Sequence, residues 1–157
     1  MKIGGSMDCK IIVVRRKQEE FESVCDKIEE YIVKENLAKY GGTLRYSCLT
    51  YDADYLFLAL VDNVPVGYCA VVKDYDSYYI YQIGVKKAFQ QKGIGQAMME
   101  QVMVLAASDN MDITAHVREY NENSKKLFTR LGFEKIGVEG DNGAYRYHQD
   151  TVAMGGR

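Results

Sequence analysis

The sequence has no tryptophan, a single proline (Pro65), two histidines, and four cysteines set far apart at Cys9, Cys25, Cys48 and Cys69. Each scarcity narrows the reading. No Cys-x-x-Cys pair occurs, and His116 and His148 are remote in sequence from every cysteine, so the clustered ligands of a metal site are missing and no metal is expected. Two disulfides are arithmetically open, but the apolar run Ile11–Val14 is too short for a signal peptide, and reduced thiols in a cytoplasmic protein are the expectation. The longest apolar stretch, Tyr55–Val61, falls far below the roughly 20 residues of a membrane span. Charge of one sign is lacking too: 20 Lys and Arg oppose 22 Asp and Glu, which leaves no electrostatic case for nucleic acid or an anionic membrane. With one proline and scattered glycines there is no Pro- or Ser-rich linker and no internal repeat.

What is present suits one soluble globular domain. The 157 residues are 47% hydrophobic and 27% charged, enough to bury a core without staples. The expected domain covers residues 8–150, with tails at 1–7 and 151–157. Lys10–Arg15 is short and β-branched, and reads as a strand. Phe21, Val24, Cys25, Ile28 and Ile32 recur at helical spacing. Residues 34–54, broken by Gly41-Gly42, predict a short helix and a mobile loop. Tyr55–Val61 and Val64–Lys73 flank Asp62-Asn63, a dipeptide that closes tight antiparallel hairpins. Tyr78–Val85 is a third strand candidate, and Ile94, Met98, Val102 and Leu105 mark a second helix. Met111–Val117 alternates, with Ile113, Ala115 and Val117 on one face and Thr114, His116 and Arg118 on the other. A short helix with Leu127, Phe128 and Leu131 starts near Asn121, a good N-cap residue. Phe133–Val138 and Ala144–His148 close the chain as a strand pair. The order is β-α-(α)-β-β-β-α-β-α-β-β, a mixed sheet with helices.

The most informative stretch runs from Ile83 to Gln96. A strand ends at Ile83-Gly84-Val85, a polar turn follows, and Gly93-Ile94-Gly95 opens a helix. The first turn of a helix carries N–H groups without intrahelical partners and the positive end of the macrodipole. Glycines there keep side chains from blocking an anion, so the segment has the makings of a phosphate or pyrophosphate cradle. No Gly-x-x-x-x-Gly-Lys-Ser/Thr occurs, which excludes a P-loop. A dinucleotide fingerprint wants a third Gly or Ala where Met98 stands, and an N-terminal βαβ unit.

Gln90-x-x-Gly93-x-Gly95, framed by that strand and helix, resembles the Gln/Arg-x-x-Gly-x-Gly/Ala signature of the GCN5-related N-acetyltransferases, the GNAT superfamily. Val117-x-x-x-Asn121-x-x-Ser124-x-x-Leu127-Phe128-x-x-x-Gly132-Phe133 resembles that family's second, strand-Asn-helix-Gly-Phe motif. The resemblance spans roughly residues 10–150, its specific motifs lying within 83–133. It implies an α/β (α+β mixed-sheet) fold, with a central, mostly antiparallel sheet flanked by helices. It implies acetyl-CoA as cosubstrate and an N-acetyltransferase acting by direct attack on a primary amine in a ternary complex. By the same resemblance, Gln90 and the N–H groups of Gln91, Lys92, Gly93, Ile94, Gly95 and Gln96 hold the pyrophosphate. Ile83, Gly84 and Val85 pair with the pantetheine arm as an added strand, and Asn121 bonds the pantetheine or caps its own helix. The tyrosine that relatives use as acid falls at Phe128, which has no proton to donate. Phe128 is expected either to border the coenzyme or to serve as core.

The transfer needs a base, and His116 is the favoured residue: it precedes Asn121 by five, where some relatives carry a glutamate, and a neutral imidazole can accept a proton. Water or another hydroxyl, such as Tyr81 or Tyr120, is the expected substitute for the missing acid. Tyr79 and Tyr81 fall near the other position where relatives place a carboxylate, and are read as acceptor-pocket or proton-passing groups. The thirteen tyrosines, many near Asp52, Asp54, Asp74 and Asp76, suit a small-molecule or peptide amine through charge and cation–π attraction. Homodimer formation is left open. The rival readings are a non-catalytic acyl-CoA-binding or regulatory module on the same fold, and a binder of another pyrophosphate.

Overall fold

The structure is a computed structural model that describes residues 1–3, 5, 7–39 and 52–149. The predicted loop around Gly41-Gly42, Cys48 and the C-terminal tail lie outside the described residues. Among the described residues, seven strands form one mixed, mostly antiparallel sheet, flanked by helices, and the chain divides into two compact units: Met1–Val72 with Tyr81–Gln101, and Lys73–Ile80 with Val102–Arg157.

In the first unit, β1 (Lys2–Ile3) pairs with β2 (Met7–Asp8) in the stretch expected to be a tail, and β3 (Lys10–Arg15) pairs antiparallel with β4 (Tyr55–Val61). The β4–β5 hairpin, β5 being Val64–Lys73, turns at Asp62 and Asn63 with φ of 51° and 64°, the left-handed geometry whose twist matches that of the strands. Helix α1 (Phe21–Ile28) buries Phe21, Cys25 and Ile28. It runs on through a π turn at Glu29–Val33, which buries Ile32 and Val33, into α2 (Lys34–Lys39). The widened turn carries the stripe past Ile28 and buries Val33, five residues on, beside Ile32. These side chains meet Leu56, Leu58, Tyr68 and Ala70 of the sheet in one apolar cluster. Cys9, Cys25 and Cys69 are buried as thiols, and burial pushes the Cys69 thiol above its ordinary range.

Strand β6 (Ser77–Val85) contributes its C-terminal half to this unit and its N-terminal half to the other. In the second unit it pairs parallel with β7 (Asp112–Arg118), from Ser77↔Asp112 to Ile80↔Ala115, and buried Ser77 meets the Thr114 hydroxyl at 3.2 Å. Ile113, Ala115 and Val117 are buried and His116 and Arg118 exposed, as the alternation predicts. Helix α4 (Glu122–Arg130) is followed by β8 (Glu134–Glu139) and β9 (Asn142–Tyr147), giving the order β7-β9-β8. Between β6 and β7 runs α3 (Ile94–Ser108), the crossover helix that a parallel pair requires. The Asp112 carboxylate accepts from Arg146 Nε at 2.8 Å and from the Gln149 N–H at 2.9 Å, closing the end of β9 onto β7.

Two outcomes follow. Asn63→Val forces a β-branched residue into left-handed backbone and should cost about 1–2 kcal/mol, read as a lower urea midpoint with unchanged slope. Burial would raise the Asp112 carboxyl, but the Gln149 N–H and Arg146 outweigh it and hold the group below its usual value. A depressed carboxyl stabilises the fold above its unfolded pKa of about 3.9, and that share is lost as pH falls through the folded value. Arg146→Met should therefore flatten the acid limb of the stability–pH curve relative to the parent protein.

Candidate active site

The loop between β6 and α3 is built to present backbone. After a 3-10 turn at Lys87–Phe89, Gln91 and Gly93 take φ of 59° and 84°, so left-handed residues alternate with Lys92 immediately before α3. Such alternation turns successive N–H groups toward one concavity, the arrangement that receives anions. No atom lies within 4 Å of a Cβ built on Gly93, so glycine is required there by its backbone and not by crowding. The loop is braced: Gln90 Nε2 donates to the Val85 carbonyl at 2.9 Å, and the Lys86 N–H donates to the Val66 carbonyl at 2.7 Å. Thus the Gln90 side chain holds the loop shape, and the N–H groups of the first turn of α3 are left aimed out of the helix end. Ile94 is buried and seats that end. A groove of about 840 Å³ borders Gly93, Gln96 and Glu100, with Asp8 and Lys10 on its wall.

Ile83, Gly84 and Val85 are half-buried at the end of β6. Gly84, an oddity inside a strand, is explained by close approach: an added Cβ would lie 2.7 Å from the Tyr68 ring and 3.1 Å from the Asn36 amide. Tyr68 donates to Gln82 Oε1 at 2.6 Å, and burial raises its hydroxyl far above the ordinary range, so it stays a donor. Glu35 of α2 accepts the Lys87 N–H at 2.7 Å and pairs with Lys86 at 3.7 Å, which ties α2 to the start of the loop. Tyr81 packs its ring against the apolar cluster of this unit.

In the second unit, His116 stands on the outward face of β7. Its Nδ1 lies 2.9 Å from the Tyr79 hydroxyl and its Nε2 3.0 Å from Glu139 Oε2. The Tyr79 and His116 rings meet edge to face, with centroids 5.5 Å apart. Asn121 caps α4, its Oδ1 accepting from the Ser124 N–H at 3.2 Å, and Tyr120 beside it is 64% exposed. Phe128 is 2% exposed and sits edge-on to Phe133 with centroids 5.0 Å apart, inside the core of this unit. Sequence reasoning missed Glu139 and Glu35. Glu139 reaches His116 only because β9 brings β8 to β7, and Glu35 reaches Lys87 across 52 residues of chain. No local pattern carries either contact.

The sequence profile of the acetyltransferase (GNAT) family matches residues 16–133. No curated protein matches the sequence significantly. Among solved structures, the PaiA N-acetyltransferase of Thermoplasma acidophilum, in complex with coenzyme A, superimposes with a TM-score of 0.73 at 13% identity, over 91% of this chain and 100% of that one. A GNAT-family acetyltransferase of Listeria monocytogenes gives 0.70 at 16% identity, covering 95% of this chain and 99% of its own. A chain of the NatC complex, bound to Gag peptide and CoA, gives 0.63 at 15%, covering 89% and 96%. At these identities the likeness is one of fold.

Asn121→Ala removes the 3.2 Å cap bond and should destabilise the protein by about 1 kcal/mol in urea unfolding. An Asn121→Asp variant, which keeps the acceptor oxygen, should restore most of that loss.

Proposed function

The chain belongs to the GNAT family of acetyltransferases, and on that premise we propose that it moves an acetyl group from acetyl-CoA to a primary amine by direct attack in a ternary complex. The observation that carries this reading is the braced loop whose left-handed Gln91 and Gly93 lead into α3. The N–H groups from Gln91 to Gln96 receive the coenzyme pyrophosphate, where the helix dipole favours its charge. The main-chain groups of Ile83, Gly84 and Val85 pair with the pantetheine arm. Asn121 bonds the pantetheine or the chain near it, a role compatible with the α4 cap, which uses only its Oδ1. Residues 8–150 form the domain, working in the cytoplasm without a metal.

Acetyl transfer requires a neutral amine, a polarised thioester carbonyl and a departing thiolate. His116 is the proton acceptor. Phe128 supplies no acid, but a thiol of pKa about 8.5 leaves as thiolate with modest help, and the hydroxyls of Tyr81 and Tyr120 are the candidates to give it. General acid catalysis is worth about 10²–10⁴-fold, so the Phe128 departure predicts a slower enzyme and not an inert one. The acceptor is a small-molecule or peptide amine. One observation favours a second reading: the burial of Phe128 in the core suits a non-catalytic acyl-CoA-binding or regulatory module.

Calorimetric titration with acetyl-CoA, CoA and NAD tests the cofactor assignment. Micromolar binding of the first two and none of NAD is expected, and absence of CoA binding would sink the reading. His116→Ala should lower turnover at least tenfold with little change in acetyl-CoA affinity. An unchanged rate at saturating amine removes the histidine from the chemistry.

A further inference from the structure

We propose that His116 takes the acceptor's proton through the Tyr79 hydroxyl, with Glu139 as the positioning residue that fixes the imidazole tautomer. The proposal rests on the transferase reading above and specifies the path of the proton within it. Both ring nitrogens of His116 are engaged, Nδ1 with Tyr79 at 2.9 Å and Nε2 with Glu139 at 3.0 Å. A neutral imidazole has one donor and one acceptor nitrogen, and an ionised carboxylate only accepts. Glu139 therefore selects the Nε2–H tautomer, Nδ1 carries the lone pair, and the Tyr79 O–H donates to it. An amine approaching His116 directly meets no free lone pair. It meets instead the Tyr79 oxygen, whose own proton is already aimed at the base.

Strand periodicity puts Tyr79 on the face of β6 opposite buried Tyr78 and Ile80. The 2.9 Å contact also keeps a phenol useful at neutral pH. With an ordinary pKa near 10 it is a poor base alone, but here it receives one proton as it gives up another and never becomes a phenolate.

The bookkeeping closes. The amine nitrogen forms its bond to the acetyl carbon while the carbon–sulfur bond breaks and its electron pair leaves on the coenzyme sulfur. The nitrogen's surplus proton passes to Tyr79 Oη, and the tyrosine proton passes to His116 Nδ1. The resulting imidazolium faces the Glu139 carboxylate. Its extra proton returns through Tyr79 to the thiolate or to water, giving amide plus free thiol. Glu139 is 72% exposed on its side chain, and exposed ion pairs contribute little to stability. Its contribution is to ring orientation.

The test uses the full chain labelled with ¹⁵N-histidine, with His148→Gln assigning the two sets of signals. At pH 8.5 the ring nitrogens of His116 should report the Nε2–H tautomer alone; Glu139→Gln should convert it to a mixture, whereas Tyr79→Phe, which leaves Glu139 in place, should not. Thiol release from acetyl-CoA is then followed with spermidine, tyramine and a peptide bearing a free N-terminus. Tyr79→Phe should lower kcat at least tenfold, with acetyl-CoA affinity within twofold of the parent. Tyr79→Phe combined with His116→Gln should be no slower than the slower single variant, because the two act as one unit. A full rate in Tyr79→Phe beside a slow His116→Gln overturns the relay while leaving the transferase reading intact. A tautomer mixture in the parent protein does the same. Acetyl-CoA binding without thiol release for any of the three amines supports the non-catalytic reading and overturns the relay with it, and loss of acetyl-CoA binding altogether overturns the coenzyme assignment itself.

Discussion

The close seat of helix α3 on β5 depends on the missing side chain of Gly67. A Cβ on Gly67 would stand 3.1 Å from Ile94 Cγ2, 3.3 Å from Met98 Cε and 3.4 Å from Ala59 Cβ. Those distances are tighter than ordinary carbon contact, so a side chain at Gly67 would make the Ile94 and Met98 side chains give way. From that seat the rest of the first unit follows. Ile94 fixes the helix end, Gly93 must then turn left-handed to meet it, and Gln90 and Lys86 tie the other side of the loop to the Val85 and Val66 carbonyls. A loop pinned at both ends holds its N–H groups in place before any anion arrives, and such preorganisation lowers the ordering cost of binding.

The fold was legible wherever a short period or a local backbone demand carried it. The alternation in β7 separates Ile113, Ala115 and Val117 from His116, and Asp62-Asn63 marks the hairpin turn. Asn121 marks the start of α4 because an N-cap needs an oxygen within three residues. The π turn at Glu29–Val33 was not legible: Ile32 fits a helical stripe as well as it fits the widened turn that buries it. At the site, the glycine spacing of the loop was readable for the same local reason, whereas the Tyr79–His116 contact joins residues 37 apart. It depends on a parallel register that pairs Tyr79 with Thr114, two residues from the histidine. Gly84 inside a strand is explained by the Tyr68 ring, which no local pattern reveals.

Phe128 brings packing and chemistry to the same point. Its ring is 2% exposed, edge-on to Phe133 and 6.4 Å from the Tyr145 ring, in an aromatic cluster that closes α4 onto its unit. A hydroxyl added there needs a hydrogen-bond partner, and without one its burial costs about 1–3 kcal/mol. Phenylalanine fits that packing with no hydroxyl to satisfy, and it has no proton to offer a leaving group. The two ends of an acetyl transfer differ in how much help they need. A coenzyme thiol of pKa about 8.5 departs as thiolate near neutrality, while an amine that has attacked a carbonyl must shed a proton before the product is stable. In the proposed transfer, with no acid at Phe128, the help that is needed falls on the amine end. A histidine whose two nitrogens are each fixed by a partner of opposite hydrogen-bonding character suits that end.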